Sequence, residues 1–121
     1  MLNYLWLMLA LSDSGIGREC TGDHWLPIIN ETEALIEHRA KVVIPPDGFV
    51  AQPLPACVRV TFKIDGRGVP FDVAVSRSSR VRSLDMGALQ ALKGYRFRPP
   101  SANDREFSLV FAADKQGVRS P

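Results

Sequence analysis

A chain of 121 residues has room for one domain and little for a second; it is also long enough to bury a core without a structural metal or several disulfides. Its 45% hydrophobic and 23% charged residues are those of an ordinary globular protein. The formal charge of +2 is too small to define a partner, yet residues 1–57 carry three basic against seven acidic groups and residues 58–121 twelve against six. A basic second half either attracts an acidic partner or is a solvated surface, and composition alone does not separate the two.

Residues 2–11 (LNYLWLMLAL) are almost wholly apolar. They reach about half the ~20 residues of a membrane-spanning helix. They do fit the apolar region of a secretory signal, with Ala10 and Ser12 as small residues ahead of a cleavage point and Ser14 offering a second. No Lys or Arg precedes the run. Residues 1–14 are therefore read as a signal peptide, with an apolar first helix as the alternative.

Residues 15–57 read as an N-terminal arm. Asn30 or Thr32 is placed to cap a short helix across 31–41, with acids in its first turn and Arg39 and Lys41 in its last, as the helix dipole favours. The stretch PPDGFVAQPLP that follows holds four prolines and should run extended as a connector.

Chemistry-bearing residues are few. Cys20, His24, His38 and Cys57 are the soft-metal donors, but their spacing lacks the two close pairs of a structural zinc site, so no metal is expected. Cys20 and Cys57 permit one intramolecular disulfide, or remain two thiols in a reducing compartment. The chain has no glycine-rich phosphate loop and no serine elbow. No catalytic residue, cofactor or small-molecule substrate is expected, and the protein is read as not an enzyme.

Residues 58–115 carry the organised part. Val58, Val60, Phe62 and Ile64 alternate with Arg59, Thr61, Lys63 and Asp65, the period of a half-buried strand. Asp65-Gly66-Arg67-Gly68 supplies turn chemistry, and Val69, Phe71, Val73 and Val75 repeat the alternation, so an antiparallel hairpin is expected. Ser83 is a candidate N-cap, followed by Asp85 in the first turn and an apolar stripe of Leu84, Ala88, Leu89 and Leu92 that ends at Gly94. Phe107, Leu109 and Phe111 mark a third strand, and residues 116–121 read as a frayed polar tail. The expected fold is α+β: a three-stranded antiparallel sheet in β-β-α-β order, covered on one face by one helix because a sheet cannot bury its apolar side alone, plus an N-terminal helical segment.

The same residues resemble the C-terminal domain of the TonB family of energy transducers. The resemblance rests on Phe62-Lys63-Ile64-Asp65, the turn through Gly68, and Asp72-Val73-Ala74-Val75. It continues in Ser78-Ser79, Leu84-Asp85 with Ala88-Leu89, and the close at Tyr95, Phe97 and Pro99. It implies a non-enzymatic module of the periplasm or cell envelope, associated in the family with the inner membrane. Such a module grips an extended segment of an outer-membrane transporter by strand addition, in which backbone bonds give affinity and side-chain pockets give selection. The implied partner-binding edge is Glu106, Phe107, Ser108, Leu109, Val110 and Phe111, and a homodimer through such edges is a further implication. The alternative is a stand-alone envelope assembly or regulatory module of the same fold with a different protein partner. Lys93-Gly94-Tyr95-Arg96-Phe97 also echoes an RNA-recognition strand, but Pro99-Pro100 ends it, and no nucleic acid is expected.

Overall fold

A computed structural model describes residues 18–43, 55–101, 104–114 and 117–121. The expected signal segment 1–14 and most of the proline-rich connector lie outside the described residues. In chain order the elements are α1 (Arg18–Ala34), β1 (Ile36–His38), β2 (Ala56–Ile64), β3 (Pro70–Arg77), α2 (Arg82–Gly94), β4 (Arg96–Phe97), β5 (Phe107–Asp114) and β6 (Gly117–Arg119).

The fold is α+β with antiparallel strand pairing. Its main sheet has four strands in the order β3-β2-β5-β6, and β1 pairs with β4 in a separate two-stranded ribbon. The three-stranded expectation therefore falls one strand short. Residues 117–119, read as frayed tail, pair with β5 through Ala112 opposite Arg119 and Asp114 opposite Gly117. Backbone pairing rather than any apolar pattern makes that strand.

Alternation along β2 sends Val58, Val60, Phe62 and Ile64 to one face, where each is at most 1% exposed. Phe107, Leu109, Phe111 and Ala113 of β5 join them. Leu84, Ala88, Ala91 and Leu92 of α2 close this core from above, as the stripe requires. Tyr95 and Phe97 fill its end in an aromatic cluster, with Phe62 and Phe97 ring centres 5.2 Å apart and Tyr95 edge-on to Phe111 at 6.0 Å. Both side chains are thus core.

The start of α2 differs from expectation. The helix begins at Arg82 after an extended Val81, which has no side chain to cap it, and Ser83 lies inside the first turn. Asp85 instead reaches back, accepting from the Ser79 amide at 2.9 Å and from the hydroxyls of Ser79 and Ser78 at 2.6 and 2.5 Å. The carboxylate fixes the loop before the helix while sitting where the dipole favours negative charge.

The β2–β3 turn is tied twice. Asp65 Oδ1 accepts from the Arg67 and Val69 amides at 2.8 and 2.9 Å, which holds its carboxyl below the usual carboxylate range. Gly68 adopts φ +81° and its carbonyl accepts from the Phe97 amide at 2.9 Å, joining the turn to β4. A β-carbon there would stand 2.0 Å from the Phe97 carbonyl oxygen, so glycine is required by close approach as well as by φ.

Candidate protein-binding edge

A four-stranded sheet has two outer strands, here β3 and β6. Strand β3 pairs with β2 through a shifted register, and Asp72 within it takes φ +53°. Such a bulge twists a strand and blunts its free side against an added chain.

The other side of the sheet is built differently. Expectation placed the edge on residues 106–111, but β5 is an inner strand, between β2 and β6. Glu106 precedes the strand and is exposed, while Phe107, Leu109 and Phe111 point into the core and Ser108 is buried on the opposite face. The physical reason is that β6 folds back antiparallel onto β5. It pairs, however, only with 112–114. Among the described residues, no strand lies against 107–111 on the side away from β2.

What lies there is α1. Expectation put the N-terminal helix at 31–41; it runs instead over Arg18–Ala34, and Ile36–His38 is strand β1. The helix contains Pro27 and a non-helical Gly22, at φ 53°, ψ 169°. It begins on the sheet face opposite α2. Cys20 and Cys57 are joined there by a disulfide (Sγ–Sγ 2.03 Å, Cα–Cα 6.3 Å), packed with Ala112 and Val110. Arg59 braces this end: its guanidinium donates to the Cys20 carbonyl at 2.9 Å and lies 4.1 Å from the centre of the Trp25 ring. Its Nε donates to Ser76 Oγ at 2.9 Å, which links α1 through β2 to β3.

The C-terminal half of α1 meets the outer side of β5. The buried Thr32 hydroxyl donates to the Ile28 carbonyl at 2.7 Å and accepts from the Ser108 amide at 3.3 Å. Because β2 flanks β5 on one side, that amide points to the side a further strand would occupy. The preceding residue, Glu31, pairs with Arg105 just ahead of β5, which holds the carboxyl of Glu31 below its ordinary range and raises the guanidinium of Arg105. Arg98 then anchors the helix end, donating from its side chain to the Ala34 carbonyl at 2.9 Å and from its backbone to the Leu35 carbonyl at 2.7 Å.

The four soft-metal donors do not form a site. Cys20 and Cys57 are bonded to each other, His24 lies edge-on to Trp25, and His38 is exposed in β1. Among the described residues, no three His, Cys, Asp or Glu side chains come together as metal ligands would. A cavity of about 350 Å³ opens where β2 starts and β3 ends, lined by residues that include Cys57, Arg77, Ser79 and Arg80. Among the described residues, no helix is long and apolar enough to cross a membrane.

A hairpin and a helix on one core, with one inner strand left half-paired, define a small α+β domain whose distinctive surface is backbone rather than chemistry. Comparison with known families gives that class a name. The chain matches the Gram-negative bacterial TonB protein C-terminal family over residues 46–112, and belongs to it. Domains of this family are protein-interaction modules of TonB-dependent transport in the Gram-negative envelope. No curated protein and no solved structure gave a match. The matched span begins ahead of β2 and ends within β5; α1, β1 and β6 lie outside it.

Sequence reading missed α1 as the neighbour of β5. The signal was faint: Glu31 and Thr32 were legible as helix-start residues, whereas their partners Arg105 and Ser108 lie 74 and 76 residues away.

Proposed function

We propose that this domain binds an extended segment of an outer-membrane transporter as a strand added along 107–111 of β5, in the periplasm. The observation that carries the reading is the Ser108 amide, which faces outward from β5 and is met by a side-chain hydroxyl in place of a strand. An added strand would supply a backbone acceptor there and extend the sheet, with affinity from the ladder and selection from flanking side chains. The bulged edge at β3 is the poorer template. Family membership supports a protein as partner.

The test uses synthetic peptides covering the periplasmic N-terminal segments of the host's outer-membrane transporters, titrated into the folded protein and followed by backbone NMR. Saturable binding with shifts concentrated on the amides of 107–111 is the expected result. If no peptide binds at millimolar concentration while the protein is folded, strand addition is refuted. Shifts confined to β3 would move the site to the opposite edge.

A further inference from the structure

We infer that the C-terminal half of α1 is a displaceable cover over the β5 edge, competing with the incoming strand from within the same chain. The inference rests on the strand-addition reading and adds its regulation.

Two contacts place the helix where a strand would pair. Thr32 Oγ1 takes the outward Ser108 amide, and Glu31 holds Arg105 at the entrance to the strand. Both would be surrendered to a bound segment: the first because a backbone carbonyl replaces the hydroxyl, the second because the helix must move aside to admit the chain. The Thr32 bond is long for an N–H to oxygen contact, at 3.3 Å, so it holds the helix weakly, and the Glu31–Arg105 pair, although two-pronged, is exposed to solvent and screened by salt.

The helix is also built to let go. Of its side chains from 20 to 34, only Cys20, Ile29 and Thr32 are buried, so little apolar surface binds its second half to the sheet. Pro27 offers no amide to the preceding turn and Gly22 departs from helical geometry, which puts two weak joints between the ends. At the near end the disulfide and Arg59 fasten Cys20 to β2. At the far end Arg98 holds Ala34 and Leu35. A segment tethered at both ends and jointed between them can lift from β5 without leaving the molecule. Tethering keeps the displaced cover close, at high effective concentration, so that it returns when the ligand leaves. The cover lies outside the family-matched span.

Hydrogen exchange on the free, oxidised protein reads the cover directly. Expected is exchange of the Ser108 amide and of the amides at 28–34 through a shared local opening, at least tenfold faster than the amides of β2. Exchange of all of them together, in global unfolding only, overturns the inference. The double variant Glu31→Gln/Thr32→Val should accelerate Ser108 exchange further, leave β2 unchanged, and tighten binding of the transporter peptides severalfold. Unchanged affinity in that variant overturns the competition while leaving strand addition standing. If no peptide binds either protein but local opening is seen, strand addition falls and a displaceable cover over the edge is upheld.

Discussion

Replacing Gly68 by alanine isolates the joint between the hairpin turn and β4. The new β-carbon would lie 2.0 Å from the carbonyl oxygen of Phe97, far inside contact distance, and that neighbour is backbone and cannot rotate away. The residue would also be held at φ +81°, where an L side chain costs roughly 1–2 kcal/mol. Relieving the overlap means moving the turn from β4, which endangers the Phe97 amide bond to the Gly68 carbonyl, a further loss of about 1 kcal/mol. With partial relaxation the sum is about 3 kcal/mol, a large share of the 5–15 kcal/mol typical of a whole domain. Two-state urea unfolding measures it, and Gly66→Ala is the control, since nothing lies within 4 Å of its added carbon. That control should stay within about 0.5 kcal/mol of the parent. Should the two variants unfold at the same urea concentration with the same slope, the close approach of turn and strand is wrong.

Other consequences follow from the same contacts. Removing the disulfide by the pair Cys20→Ser/Cys57→Ser frees a link of sequence separation 37 and should lower stability by about 4 kcal/mol on the chain-entropy estimate, less if the unfolded chain keeps structure; urea unfolding of variant against oxidised parent measures it. Asp85→Ala strips three donors of their acceptor and should cost roughly 1–2 kcal/mol, with the loss of helicity confined to the first turn of α2 in NMR shifts. Asp65 has its carboxyl held below its ordinary value of 3.8, by the Val69 and Arg67 amides first, so its stabilisation is complete above that value and is lost as pH falls below it through the lowered value. Asp65→Asn should flatten that part of the stability–pH curve, and acid unfolding midpoints of the two proteins check it.

The elements legible in the sequence were those whose signals are local. Alternation along 58–64 is written by the core face of β2, the Asp65–Gly68 turn by its own side chain and glycines, and the stripe of α2 by one contact face. Helix α1 carries no such stripe. With Gly22 and Pro27 inside it, the better capping signals at 30–32 drew the expected helix downstream, although Thr32 turns its hydroxyl back to Ile28 and the chain leaves the helix two residues later. Strand β6 is three residues held by backbone pairing, and β1 exists because β4 is there to receive it. That β5 is an inner strand, paired by β6 only over 112–114, was not legible for the same reason: whether a strand is outermost depends on segments far away in sequence, and residues 107–111 alternate identically with or without a neighbour. Composition could offer Cys20 and Cys57 as a pair but not say which face of the sheet their link would fasten.

The cross-link between α1 and β2 also bears on how the molecule is made. Cys20 and Cys57 are the two cysteines of the 121 residues, so intramolecular oxidation has a single product and no mispaired isomer to rescue. The competing error is a bond between two chains, which depends on concentration whereas ring closure does not. Dilute oxidative refolding should therefore need no disulfide isomerase, and the yield of monomer should fall only as protein concentration rises.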